Sequence, residues 1–136
     1  MRKISLLLLC AVSILLMGCG DDPDGKWAKM KWNVPSGLTK TEGIYMIPAS
    51  GGTFVFTCKN YKPWIAGIAD NNNGLGYPID ISEMHNFEGT WFGVNCNQYD
   101  VTIRFDPLSA EEDSRELKVM LTAGDIFDHF TFRQLR

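Results

Sequence analysis

The chain has 136 residues, 13 of them basic and 16 acidic, and its formal net charge is −3 with neutral histidines. This length suffices for one domain with a substantial core and not for two. The lysines and arginines form no cluster or stripe along the sequence, whereas phosphate binding depends on clustered basic side chains. The composition therefore argues against a nucleic-acid-binding protein.

The first 18 residues have the pattern of a secretory signal peptide. Arg2 and Lys3 are positively charged, and the run from Leu6 to Met17 is apolar apart from Ser13. The run is shorter than the roughly 20 residues that a helix needs to cross the bilayer. We therefore predict that residues 1–18 are cleaved on export, which leaves 11 basic and 16 acidic residues and a net charge of −5.

The stretch Leu16-Met17-Gly18-Cys19 resembles the bacterial lipobox. The resemblance implies that a diacylglyceryl group is attached to the sulfur of Cys19, with acyl chains such as palmitate, before cleavage ahead of it. Two acyl chains suffice for stable anchoring because each buried methylene contributes about 0.8 kcal/mol. Residues 19–26 form an acidic tether that resembles the export tags of surface lipoproteins, although a solvated linker has the same composition. We expect an outer-membrane protein exposed at the cell surface.

Short runs with period-two alternation of apolar residues follow from about Trp27 and predict β-strands. Turn residues separate the runs, and no stretch shows sustained helical periodicity beyond about one turn between Ser109 and Asp113. The predicted strands include Thr53 to Cys58, Trp64 to Ile68, Trp91 to Cys96, Val101 to Phe105, Leu117 to Thr122 and Ile126 to Leu135.

Seven or eight such strands in residues 27–136 predict an all-β fold, an immunoglobulin-like sandwich of two antiparallel sheets. One apolar and one polar face on each strand excludes a parallel α/β fold. The stretch from Asp70 to Thr90 shows no such alternation, and irregular segments of this length are usually functional or mobile. Cys58 and Cys96 continue the inward-facing parity of their strands, so the sequence allows either a disulfide or two free buried thiols.

The segment from Gly43 to Gln134 resembles a BACON domain, an immunoglobulin-like module of Bacteroidetes surface lipoproteins and carbohydrate-degrading enzymes. The resemblance implies either carbohydrate binding or a spacer that holds another domain away from the membrane. The segment from Asp70 to Thr90 is longer than the family pattern. The matching positions are Gly51-Gly52-Thr53-Phe54, Asn60, Trp64, Trp91, Arg115 and Gln134.

No residue pattern points to catalysis, a metal site or a cofactor. His85 and His129 have no ligand-spaced neighbours. Two carboxylate pairs, Asp80 with Glu83 and Asp106 with Glu111, are interpreted as solvated surface groups, since sequence spacing does not show separation across a cleft. The stretch from Asp70 to Gly74 has alternating oxygen ligands, but its glycine and missing distal glutamate favour a turn over a calcium loop.

Aromatic residues are the main indication of ligand recognition, since flat rings stack on sugars and neighbouring amides bond hydroxyl groups. Trp64 and Trp91 have an alternative place in the core between the sheets. Trp27 and Trp32 are expected to cover a sheet edge. The candidate ligand-binding residues are Tyr61, Trp64, Asn72, Tyr77, Phe87 and Trp91.

The sequence therefore predicts a non-catalytic surface lipoprotein that binds a glycan or a protein partner. The predicted rim comprises Tyr61, Asn72, Tyr77 and Phe87. The alternative is a structural or accessory spacer subunit of a membrane-associated assembly.

Overall fold

The structure is a computed structural model that describes residues 27–71, 75–77 and 79–136, with the backbone alone for 75–77. The predicted signal peptide, Cys19 and Asn72 lie outside the described residues. In chain order the strands are β1 (Trp32–Asn33), β2 (Thr39–Thr41), β3 (Ile44–Ile47), β4 (Gly52–Cys58), β5 (Trp64–Asp70), β6 (Leu75–Tyr77), β7 (Asn86–Glu88), β8 (Phe92–Asn97), β9 (Asp100–Phe105), β10 (Ser114–Thr122) and β11 (Phe127–Leu135).

The described strands form two sheets, which confirms the predicted all-β sandwich. The first sheet has the order β1-β4-β9-β8-β7, and the second has the order β2-β3-β11-β10-β5-β6. Immunoglobulin domains divide their seven strands in the same way. By their own numbering, the second, fourth and fifth strands lie in one sheet, and the third, sixth and seventh lie in the other. One pair departs from the antiparallel prediction, because β3 runs parallel to β11 with Ile44 opposite Thr131.

The alternation along each long strand places its apolar side chains between the sheets. Phe56 on β4, Val101 and Ile103 on β9, and Leu117 and Val119 on β10 are completely buried. Phe56 also meets Phe130 of the opposite sheet with ring centroids 4.5 Å apart. Such aromatic contacts add to the stabilisation that comes from burying the rings.

The segment from Asp70 to Thr90 is more regular than the sequence indicates. It contains β6, a 3-10 helix at Ile81–Glu83 and β7. The two strands are only three residues long, so period-two alternation has no room to develop in them. Their strand conformation comes from pairing, because β6 extends the second sheet beside β5 and β7 extends the first beside β8.

Cys58 and Cys96 are both buried and free. They lie on β4 and β8, which are separated in the first sheet by β9. Neighbouring strands are about 4.8 Å apart, so the two Cα atoms are at least about 10 Å apart, beyond the roughly 7 Å limit for a disulfide. The two cysteines therefore serve as small apolar core residues.

One end of the sandwich is built around the segment 27–31, and we call it the N-terminal end. The amide nitrogen of Lys59 donates to the carbonyl oxygen of Lys31 at 2.7 Å, and Asn60 Nδ2 donates to the carbonyl oxygen of Lys29 at 2.8 Å. These bonds fix the segment against the turn between β4 and β5. The β8–β9 and β10–β11 turns lie at the same end.

Candidate functional site

The structure places Phe87 in the core, which corrects the expected rim, and it places Trp91 in the core, the alternative that the sequence offered for this residue. Phe87 is only 7% exposed, because its position on β7 points inward while Asn86 and Glu88 on either side point to solvent. Its ring stacks on Phe92 with centroids 6.0 Å apart. Trp91 is 6% exposed. Neither side chain is accessible to a ligand in this structure.

Trp91 belongs to a buried polar cluster at the end of the sandwich opposite the N-terminal end. Its indole Nε1 donates to Asp70 Oδ2 at 3.0 Å, and the guanidinium of Arg115 lies 4.4 Å from the centre of its ring. Arg115 Nε donates to Gln134 Oε1 at 2.7 Å. These contacts explain three positions of the predicted family resemblance, Trp91, Arg115 and Gln134, as structural residues.

The remaining predicted residues are not brought together within the described part of the chain. Tyr61 is half-buried at the N-terminal end, where its hydroxyl donates to the carbonyl oxygen of Ala28 at 2.8 Å. Trp64 is half-buried at the start of β5. The backbone of Tyr77, on β6, pairs with that of Ile68, on β5. The side chain of Tyr77 and the whole of Asn72 lie outside the described residues.

Three of the four carboxylates considered in the sequence, Asp80, Glu83 and Asp106, take part in local structure. Asp80 Oδ1 accepts from the amide nitrogen of Ile81 at 2.6 Å, and Glu83 Oε2 accepts from the amide nitrogen of Asp80 at 3.3 Å, which forms a capping box. Asp106 Oδ1 accepts from Arg104 Nε at 3.3 Å. Across residues 27–71, 75–77 and 79–136, no three His, Cys, Asp or Glu side chains are placed to hold a metal ion.

A groove of about 600 Å³ lies on the outer face of the second sheet, close to the N-terminal end. Phe127 and Met120 give it exposed apolar surface, with 69% and 37% of their area accessible. A Cβ atom on Gly67 would collide with the Met120 side chain, so this glycine lets Met120 lie flat on β5. The lining residues are Lys29, Met30, Ala66, Lys118, Met120, Phe127, Asp128 and His129.

The groove combines apolar and hydrogen-bonding groups. Lys29, Lys118 and His129 supply nitrogen donors in the lining of the groove that also contains Phe127. Asp128 is already engaged, because Oδ2 accepts from Trp32 Nε1 at 2.9 Å and Oδ1 accepts from the amide nitrogen of His129 at 2.8 Å. The arrangement suits a ligand that has apolar faces and hydroxyl or carbonyl acceptors, as in most small-molecule sites.

The sequence does contain a signal for this groove. Met120 is the one apolar residue on the solvent-facing side of β10, and Phe127 shares the solvent-facing side of β11 with polar residues and with Leu135 at its far end. Contiguous exposed apolar surface marks interaction sites, whereas single exposed residues do not. Only the register of the β10–β11 hairpin, with Thr122 opposite Phe127 and Met120 opposite His129, shows that the two are neighbours.

Trp27 and Tyr61 line a second hollow, of about 300 Å³, at the N-terminal end. The β10–β11 turn completes it with Ala123, Gly124, Asp125 and Ile126.

None of the described helices is long and apolar enough to cross a bilayer.

Comparison with known proteins gives a family but no activity. No protein-family model matches the chain, and no curated protein is similar to it. Among solved structures, the chain is similar to a protein from Bacteroides thetaiotaomicron determined by NMR, with 32% sequence identity and a TM-score of 0.68. The match covers 85% of this chain and 93% of that one. The chain therefore belongs to the same family as this Bacteroides thetaiotaomicron protein.

Proposed function

We propose that this protein is a non-catalytic surface lipoprotein whose β-sandwich binds a glycan or a protein partner in the groove on its second sheet. The exposed ring of Phe127 carries the proposal. A side chain with 69% of its area in water, in a groove that also contains a second apolar side chain and three nitrogen donors, is typical of a binding surface.

A glycan is the ligand class that these groups fit best. Sugar C–H groups stack on aromatic faces, and their hydroxyl oxygens accept hydrogen bonds from cationic side chains. Phe127 supplies the ring, and Lys118 and His129 supply donors elsewhere in the lining of the same groove. The BACON-like resemblance supports the same ligand class, since it implies carbohydrate binding on an immunoglobulin-like sandwich.

The lipid anchor and the outer-membrane location are parts of this proposal and rest on the sequence. The lipobox-like stretch ends at Cys19, and the described domain begins only eight residues later, at Trp27. We propose that acyl chains on Cys19 hold the sandwich at the membrane, with the domain displayed at the cell surface.

A glycan array probed with the mature protein, made with Cys19→Ala to avoid acylation, tests the groove. We expect Phe127→Ala to reduce binding at least tenfold, because it removes the stacking surface. Tyr99→Ala is the matched control, since Tyr99 is also an exposed aromatic residue, 45% accessible, and lies outside the groove. Equal binding by the two variants would place the glycan elsewhere.

The accessory-spacer function is the alternative, and the burial of Phe87 and Trp91 favours it, because two expected ligand contacts serve packing instead. If no glycan binds, a photo-cross-linking residue at position 127 in living cells distinguishes a protein partner from a spacer. A specific cross-link to one protein supports a protein partner in the groove. Cross-linking at position 127 no stronger than at position 99 leaves the spacer function.

A further inference from the structure

We propose that the N-terminal end of the sandwich rests against the membrane surface, with Trp27 in the headgroup region of the lipid. This proposal rests on the lipid anchor of the proposed function and adds a second, direct contact between the domain and the bilayer. It also predicts the orientation of the groove, which would open sideways, close to the membrane plane.

The exposed aromatic side chains are distributed unequally between the two ends of the sandwich. Among the described residues, the aromatic side chains with more than about 40% of their area exposed are Trp27, Tyr99 and Phe127. Trp27 belongs to the N-terminal segment, Tyr99 to the β8–β9 turn, and Phe127 begins β11, so all three lie at the N-terminal end. Tryptophan and tyrosine favour the membrane interface because each has an apolar body and a polar tip.

The exposed lysines are also concentrated at the N-terminal end of the sandwich. Lys29, Lys31, Lys59 and Lys62 are exposed on the N-terminal segment and the β4–β5 turn, where the neighbouring turns contribute Asp100 and Asp125. The segment between β9 and β10 at the opposite end carries Glu111, Glu112 and Asp113. Two arginines lie there as well: Arg115 pairs with Glu112, and Arg136 donates to the backbone of this segment, so among the described residues Glu111 and Asp113 are the carboxylates of this segment without an ion pair. Lysines beside aromatic rings suit a surface of anionic phosphate headgroups, whereas the carboxylates at the opposite end would be repelled.

The tether is short enough to keep the membrane close to the N-terminal end of the sandwich. Trp27 is eight residue steps along the chain from Cys19, and even a fully extended chain of that length spans at most about 29 Å. The nine residues of β11 alone span about 30 Å along the sandwich. The membrane is therefore held within one domain length of the N-terminal end, and the opposite end reaches it only with the tether fully stretched along the domain.

Tryptophan quenching in the lipidated protein tests the contact. The acylated mature protein is reconstituted into vesicles that contain an anionic lipid and lipids brominated near the headgroup end of the acyl chain. We expect part of the tryptophan emission to be quenched, and we expect Trp27→Phe to remove at least half of that quenching. Trp32, Trp64 and Trp91 remain in the variant and report the background.

A reporter at the far end supplies the matched control. Leu135 is exposed at the end of β11, away from the N-terminal end. In the Trp27→Phe background, Leu135→Trp should add emission that the brominated lipids do not quench. Quenching at position 135 as strong as at position 27, or no quenching at position 27 in vesicle-bound protein, overturns the membrane contact alone. If the protein does not float with the vesicles at all, the lipid anchor is wrong and the contact is overturned with it.

Discussion

Arg115 is a charged side chain in the interior of the sandwich, and its partners explain why it is tolerated there. Its Nη2 donates to the carbonyl oxygens of Asp106 and Pro107 at 2.7 and 3.0 Å, and its Nη1 pairs with Glu112 at 3.4 Å. Gln134 accepts from Arg115 Nε and donates through Nε2 to the carbonyl oxygen of Asp106 at 3.0 Å. A buried charge is stable only when its hydrogen bonds are made, so Gln134, which is the acceptor for Arg115 Nε, helps to keep the arginine in the interior.

Replacing Gln134 by leucine should therefore destabilise the domain strongly. The Gln134→Leu variant leaves Arg115 Nε without its acceptor in the interior. It also removes the Nε2 donor from the carbonyl oxygens of Pro48, Ala49 and Asp106, although each of them keeps another partner. We expect a loss of about 2 to 3 kcal/mol in urea denaturation, mainly from the unpaired buried charge. Arg133→Gln on the same strand is the control, because its ion pair with Glu116 is partly exposed and should contribute less than about 1 kcal/mol. A loss from Gln134→Leu no larger than that of the control would mean that the buried cluster does not stabilise the fold.

Cys96 links stability to pH through its burial. Desolvation raises the pKa of its thiol from the ordinary value of 9.0 to about 12, because the thiolate is disfavoured in the core. The folded state then retains a proton that the unfolded chain releases, so the free energy of unfolding falls as pH rises from about 9 to 12. Urea denaturation across this range should show a shallower decline for Cys96→Ala than for the unchanged chain. Parallel declines would exclude this contribution.

The turn that begins β4 shows how one element depends on a glycine. Gly51 has φ of +76°, its amide nitrogen donates to the carbonyl oxygen of Pro48 at 2.9 Å, and a Cβ atom there would collide with the carbonyl oxygen of Phe105. The positive φ alone disfavours any side chain, and the neighbouring backbone of β9 adds a steric reason. The Gly51-Gly52 pair thus sets where β4 starts to pair with β9.

An alanine at position 51 should therefore cost more than one at another glycine with a similar φ. Gly37 has φ of +89°, and a Cβ atom added there would have no neighbour within 4 Å, so Gly37→Ala should lose only about 1 kcal/mol from backbone strain. Gly51→Ala adds the collision, and we expect a loss of more than about 2 kcal/mol in thermal or urea unfolding. Similar losses in the two variants would show that the backbone of β9 yields without cost.

At the scale of the whole molecule, the sandwich and the proposed lipid-anchored tether have different roles. The domain supplies a rigid support with a groove and an aromatic end, while the proposed acyl chains on Cys19 supply the attachment. The membrane contact proposed for Trp27 orients the domain and contributes too little apolar surface to anchor it, since stable anchoring requires about two acyl chains.

The Cys19→Ala variant separates these contributions in cells. We expect a folded domain that no longer remains with the membrane fraction, measured by fractionation and immunoblotting, because the acyl chains supply most of the membrane affinity. Cys58→Ala serves as the comparison, since it also removes a thiol but leaves the proposed anchor intact. A Cys19→Ala protein that sediments with membranes as fully as Cys58→Ala would refute the lipid anchor.

The alternation of side chains determined most of the fold without any structure. It predicted the long strands, the inward faces of Val101, Ile103 and Phe105, and the closing hairpin, because a strand of six or more residues exposes its parity in the sequence. Tertiary structure decided what pairs with what. Period two gives the face of a residue on its own strand but neither the strand order nor the register, so the sequence did not show that Met120 and Phe127 share a groove.

The same reason accounts for the burial of Phe87 and Trp91. Phe87 lies on a three-residue strand whose direction is set by pairing with β8, and Trp91 meets Arg115 only because the two sheets face each other. A short strand carries too few residues to indicate its own parity, and contacts between sheets join positions that are distant along the chain. The sequence alone thus determined the long strands and predicts the lipid attachment at Cys19, while packing decided which aromatic side chains remain in water.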